Sequence, residues 1–117
     1  QKLAAAQGRP VVLFCHQLLD IPATPAAAAD RIVNAAEVRQ RLEAHGQVLA
    51  VFCGHKHAGD QQSIQGIPYC AMQGMIEGRQ NSYAIVDIAA GEPAVVRIQG
   101  FGREASRTLP HPEPPSK

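Results

Sequence analysis

Val48-Leu49-Ala50-Val51-Phe52-Cys53-Gly54-His55-Lys56-His57 is the stretch from which the fold can be read. Its first six residues form an unbroken apolar run with β-branched members, the pattern of a strand buried on both faces of a parallel sheet. Upstream, Val11–Cys15 (VVLFC) repeats that pattern and ends at His16. Between the two runs, Asn34-Ala35-Ala36-Glu37 has the form of a capping box, which predicts a helix over residues 35–45. Val38 and Leu42 lie on one face of that helix, and Gly46 supplies its C-terminal stop. Strand, helix and strand in this order predict an α/β crossover with the two strands as parallel neighbours. Their C-terminal ends then lie side by side, where open α/β sheets place their sites.

Working outward, residues 2–7 read as the end of a helix stopped by Gly8 and barred from continuing by Pro10. Residues 17–30 read as a loop with two prolines and four consecutive alanines. Three further strands are expected over residues 67–73, 82–88 and 94–99, the last two alternating as antiparallel strands do. Gly59-Asp60 reads as a turn. Residues 1–108 are expected to form one domain. Residues 109–117, with four prolines, are expected to be a disordered tail.

Composition narrows the function. With 117 residues there is room for one domain, and 45% apolar residues provide a core. Only 18% of residues are charged, against about 25% in an average soluble domain, so part of the surface is expected to be covered by a partner. A formal net charge of +1, with no basic stripe, gives no support for nucleic-acid binding. No apolar run is long enough to span a bilayer as a helix. Three cysteines, each inside an apolar run, read as buried thiols and not as a disulfide framework, and favour a cytoplasmic location.

The chemistry lies in the histidines. His16, His55 and His57 all sit where a buried strand ends, and imidazole is a ligand for Zn, Fe, Mn, Ni and Cu. Gly54 would permit a tight turn before them. Cys15, His16, Cys53 and His55 could alternatively make a Cys₂His₂ zinc site. Asp20 and Asp60 could orient imidazoles or simply form turns. Glu77, Arg79 and Asn81 occupy a turn-like segment that could touch a substrate or simply face water. His45 and His111 are read as solvated.

PVVLFCHQLLD (10–20), NAAEVRQRLEAHGQVLAVFCGHKHAGD (34–60) and GIPYCAMQGMIEGRQNSYAIVDI (66–88) together resemble the second half of calcineurin-like metallophosphoesterases. Five sequence blocks mark that superfamily. His16 matches the fourth, a lone histidine after a strand, and Gly54-His55-Lys56-His57 matches the fifth, Gly-His-x-His. The Gly-rich 66–78 region and the QGFGR segment (99–103) resemble the manganese-dependent ADP-ribose and CDP-alcohol diphosphatase type most. The Asp-x-His, Gly-Asp with a further Asp, and Gly-Asn-His blocks do not occur in this sequence. His16-Gln17-Leu18 also departs from the Pro that often follows the fourth block two residues on.

The resemblance implies an α/β fold, the C-terminal half of a four-layer α/β/β/α sandwich. It implies two divalent metal ions (Mn, Fe or Zn), with His16 and His55 on one and His57 on the other, and Gly54 and Arg79 near the substrate. The implied activity is that of a phosphatase or phosphodiesterase hydrolysing phosphomonoester, phosphodiester or diphosphate bonds in a nucleotide-like small molecule. Without the missing blocks the chain alone is expected to be inactive. A half sandwich with a bare sheet face is expected to form a homo-oligomer. The alternative is a small non-enzymatic metal-binding or oligomerisation domain.

Overall fold

A computed structural model describes residues 2–76 and 78–112. The expected crossover is present. Strand β1 (Val11–Cys15) pairs in parallel with β2 (Val48–Cys53), and helix α2 (Ala35–His45) lies between them in sequence. A short helix α1 (Lys2–Ala5) precedes β1. Strand β4 (Ile67–Ala71) pairs in parallel with the other side of β2, and β3 (Asp60–Ile64) closes that side antiparallel to β4. The sheet order is β1-β2-β4-β3. A second, antiparallel sheet is built from β5 (Tyr83–Ala89), β6 (Val95–Phe101) and β7 (Arg107–Thr108) in that order.

Side-chain alternation along β2 divides the interior. Val51 and Cys53 face α2 and pack with Leu18, Leu42, Tyr69 and Ala71. Ala50 and Phe52 face the second sheet and pack with Cys70, Val96 and Ile98. Strand β2 is buried along its whole length, as its sequence predicts. Strand β1 is not: Phe14 is 66% exposed. The cause is position, because β1 is an edge strand and Phe14 borders an open cavity. Strand β5 is also an edge, and Tyr83, Ile85 and Ile88 on it are about half exposed. A cavity of about 570 Å³ opens between these two edges, walled by Phe14, Phe52, Met72, Tyr83 and Val86.

Several expectations need correction. Gly59-Asp60 does not merely turn the chain, because β3 begins at Asp60. Its hairpin to β4 is closed by Gln65 and Gly66, with φ of 50° and 76°, the two positive values a primed two-residue turn needs. Residues 26–30 in the loop form a 3₁₀ turn. Asn34 makes no side-chain cap, and only its carbonyl is used, by the Val38 amide at 3.1 Å. Gly46 ends α2 in the left-handed conformation as expected (φ 74°). The ordered domain also extends past residue 108. Leu109 is buried in the inter-sheet core, and its amide donates to the Val96 carbonyl at 2.9 Å. Of the expected tail, residues 113–117 lie outside the described residues. Among the described residues, no helix is long and apolar enough to cross a membrane.

Candidate metal centre

The register of β1 and β2 sets the site. Cys15 lies opposite Cys53, so the next residues, His16 and Gly54, leave the sheet together. The Gly54 amide donates to the His16 carbonyl at 3.0 Å, extending the ladder by one bond. A Cβ on Gly54 would lie 3.3 Å from His16 Nδ1, so glycine here lets the imidazole lie against the backbone. Gly54 was expected to supply the tight turn; the positive φ instead belongs to His55 (65°). The Lys56 amide closes a three-residue turn about His55 by donating to the Gly54 carbonyl at 2.7 Å. A non-glycine residue held there costs on the order of 1–3 kcal/mol, and such strain clusters at functional sites.

That turn aims the His55 ring at His16. His55 Nδ1 and His16 Nε2 are 3.3 Å apart, with the rings nearly perpendicular at 82°. The spacing suits shared coordination. Two nitrogens about 2.0–2.1 Å from one tetrahedral ion lie about 3.3–3.4 Å from each other. On its far side, His55 Nε2 meets the Asp30 carboxylate at 3.3 Å. A carboxylate accepting from Nε2–H leaves the Nδ1 lone pair directed at His16, the arrangement of ligating histidines generally.

Asp30 was not anticipated as a partner; Asp20 and Asp60 were the carboxylates that could either orient imidazoles or simply form turns. Asp20 is instead buried and paired with Arg31 at 2.9 Å. Asp60 pairs with Lys56, which holds its carboxyl below the usual range. Asp20 still serves the site indirectly. Arg31 follows Asp30, and the Leu18 amide donates to the Asp30 carbonyl at 3.3 Å, so the buried pair fixes the segment that carries Asp30.

His57 is set against a different neighbour. Its carbonyl accepts from the Gly74 amide at 2.9 Å, and a Cβ on Gly74 would lie 2.9 Å from the His57 side chain. Arg103 Nη2 donates to the Gly74 carbonyl at 2.9 Å, bringing an unanticipated guanidinium to that loop. Arg79 is an exposed residue of the 78–80 bend. Glu77 lies outside the described residues. Beneath the histidines, the Cys15 and Cys53 sulfurs are 3.5 Å apart. That hydrogen bond lowers the Cys15 thiol and raises that of Cys53, with burial adding to the latter. Among the described residues, no group of three or more His, Cys, Asp or Glu side chains is gathered closely enough to hold a metal. The Cys₂His₂ arrangement is therefore not formed, and His16 and His55 stand as a pair.

A solved dimetal phosphatase from Danio rerio has a similar structure, with a TM-score of 0.70 over 87% of this chain. The likeness is one of fold. Sequence identity is 24%, and the matched region is 32% of that protein's chain, so this chain spans about a third of its length. The mixed α/β architecture thus matches part of that protein's fold. No protein-family model and no curated protein matches the sequence.

Proposed function

We propose that this chain is the C-terminal part of a two-metal phosphoesterase domain, to which it contributes His16, His55 and His57. The observation that carries the reading is the His16 Nε2–His55 Nδ1 pair, held 3.3 Å apart with Asp30 on the outer nitrogen of His55. Two imidazole nitrogens at that spacing fit one divalent ion, of which Mn, Fe and Zn all accept nitrogen and carboxylate donors. When bound, a pair of such ions supplies Lewis acidity to a phosphoryl oxygen and lowers the pKa of water. This chain's own part is to fix the histidines. Gly54 admits the His16 ring, the strained turn at His55 aims its Nδ1, and Asp30 sets its tautomer. Arg103, beside the Gly74 carbonyl, is the cation placed to meet a phosphate near His57. The substrate class that follows is a phosphate ester or diphosphate, of nucleotide-like size. The chain's share of the ligand set is too small for turnover alone.

Paramagnetic broadening by Mn²⁺ tests this on the chain as it is. Added at low ratio, the ion should broaden the ring protons of His16 and His55 together, and His55→Ala should abolish the effect at His16. Broadening of His45 and His111 to the same extent as His16 and His55 would refute a built site. Hydrolysis of bis-p-nitrophenyl phosphate by the chain alone, lost in His55→Ala, would overturn the claim that it is inactive without further ligands.

A further inference from the structure

We propose that Cys15 and Cys53 are a redox-responsive thiol pair, which a hydroperoxide closes to a disulfide tying the ends of β1 and β2 together. The inference is independent of the phosphoesterase reading. Cys15 and Cys53 are directly opposite in the parallel register. Neighbouring strands lie about 4.8 Å apart, inside the Cα separations of about 4.4–6.8 Å that disulfides span. The two sulfurs are already 3.5 Å apart, so side-chain rotation brings them to bonding distance without displacing a strand. Cys70, the third thiol, is excluded by geometry. It is registered with Phe52, while Ala71 is registered with Cys53, so Cys70 faces the inter-sheet core on the opposite side of the sheet.

Access favours Cys15 as the first to react. It is partly exposed where Cys53 is buried. The Cys15 sulfur attacks the peroxide O–O bond, forming a sulfenic acid and releasing water (an alcohol from an organic peroxide). The Cys53 sulfur then attacks the Cys15 sulfur, and hydroxide leaves with the thiol proton as a second water. Two thiols lose two electrons and two protons in all, and the peroxide is reduced by two electrons. The new bond would sit one residue before His16 and one before Gly54, the two residues whose backbones carry the histidine pair. Oxidant tone would thereby reach the site through the sheet ends.

Oxidation of Met72 and Met75 gauges the peroxide dose. The chain is exposed to increasing hydrogen peroxide until both methionines are oxidised, then denatured, alkylated with iodoacetamide and mapped by peptide mass. The expected product is a monomer in which the Cys15 and Cys53 peptides are joined with the loss of two hydrogens and Cys70 remains alkylated. Dithiothreitol should restore both thiols. In Cys53→Ser, dimedone should trap Cys15 as the sulfenic acid. Methionine oxidation with Cys15 and Cys53 both still alkylated would overturn the proposal, as would a bond from either to Cys70.

Discussion

Replacing Arg31 by methionine should destabilise this protein more than any surface change. The side chains of Arg31 and Asp20 are only 7% and 9% exposed, and their charged atoms are 2.9 Å apart. Arg31 Nε also donates to the Asp20 carbonyl at 3.1 Å, and its Nη1 to the Ala27 carbonyl. Methionine keeps the volume of the aliphatic stem but leaves the Asp20 carboxylate buried without a counter-charge. Arg39 does not replace it, since its Nη1 donates only to the Leu19 and Asp20 carbonyls. Removing one partner of a buried pair costs about 3–5 kcal/mol. With a urea m-value of about 2 kcal/mol/M, the unfolding midpoint should fall by roughly 1.5–2.5 M. Arg41→Met is the control. Its partner Glu37 and Arg41 itself are 58% and 73% exposed, and loss of that pair should cost about 0.3–0.5 kcal/mol. Asp20→Asn combined with Arg31→Met strands no charge and should be more stable than Arg31→Met alone. The reasoning fails if Arg31→Met and Arg41→Met unfold at the same urea concentration.

The other expectations follow from single contacts. Gly54→Ala places a Cβ 3.3 Å from His16 Nδ1, so the ring must give by a few tenths of an ångström, and the His16–His55 correlation in a histidine NMR spectrum should weaken while the fold persists. Asp30→Asn should remove the bias toward the Nε2–H tautomer of His55, read from ¹⁵N shifts; unchanged shifts would mean that Asp30 does not set it. Burial pushes the Tyr69 hydroxyl up to about 12 from a usual value near 10. The unfolded chain therefore loses its proton first, so stability is intact below pH 10 and falls by about 3 kcal/mol as pH rises to about 12. Tyr69→Phe should flatten that decline in thermal melts, at little cost near neutral pH. The bare β1 and β5 edges and the exposed Phe14, Tyr83 and Ile85 predict self-association, and sedimentation of a stable monomer at high concentration would contradict it.

What could be read in the sequence was governed by burial. VLAVFC announces a doubly buried strand because β2 has neighbours on both sides and packed layers on both faces. VVLFC differs in composition only by lacking an alanine, yet β1 is half bare, since nothing local tells a strand which neighbours it lacks. Strand β3 escaped notice because Asp60-Gln61-Gln62-Ser63 carries little apolar alternation, and it is held by its hairpin to β4. Histidines at strand ends were legible because register alone brings His16 and Gly54 together. Asp30 was not, because its approach to His55 depends on a loop fixed by a buried ion pair eleven residues wide, a tertiary relation with no short-range pattern.

The histidine pair and the bare strand edge have a common geometric origin. His16 leaves the C-terminal end of an edge strand whose outer side pairs with no strand among the described residues. A further strand added parallel to β1 on that side would end beside His16, as β2 ends beside it on the other, and on the proposed reading the residues following it would lie near the ion that His16 and His55 would share. A strand added antiparallel would present its N-terminal end there instead. The direction of a strand added there would therefore decide which residues approach the histidine pair.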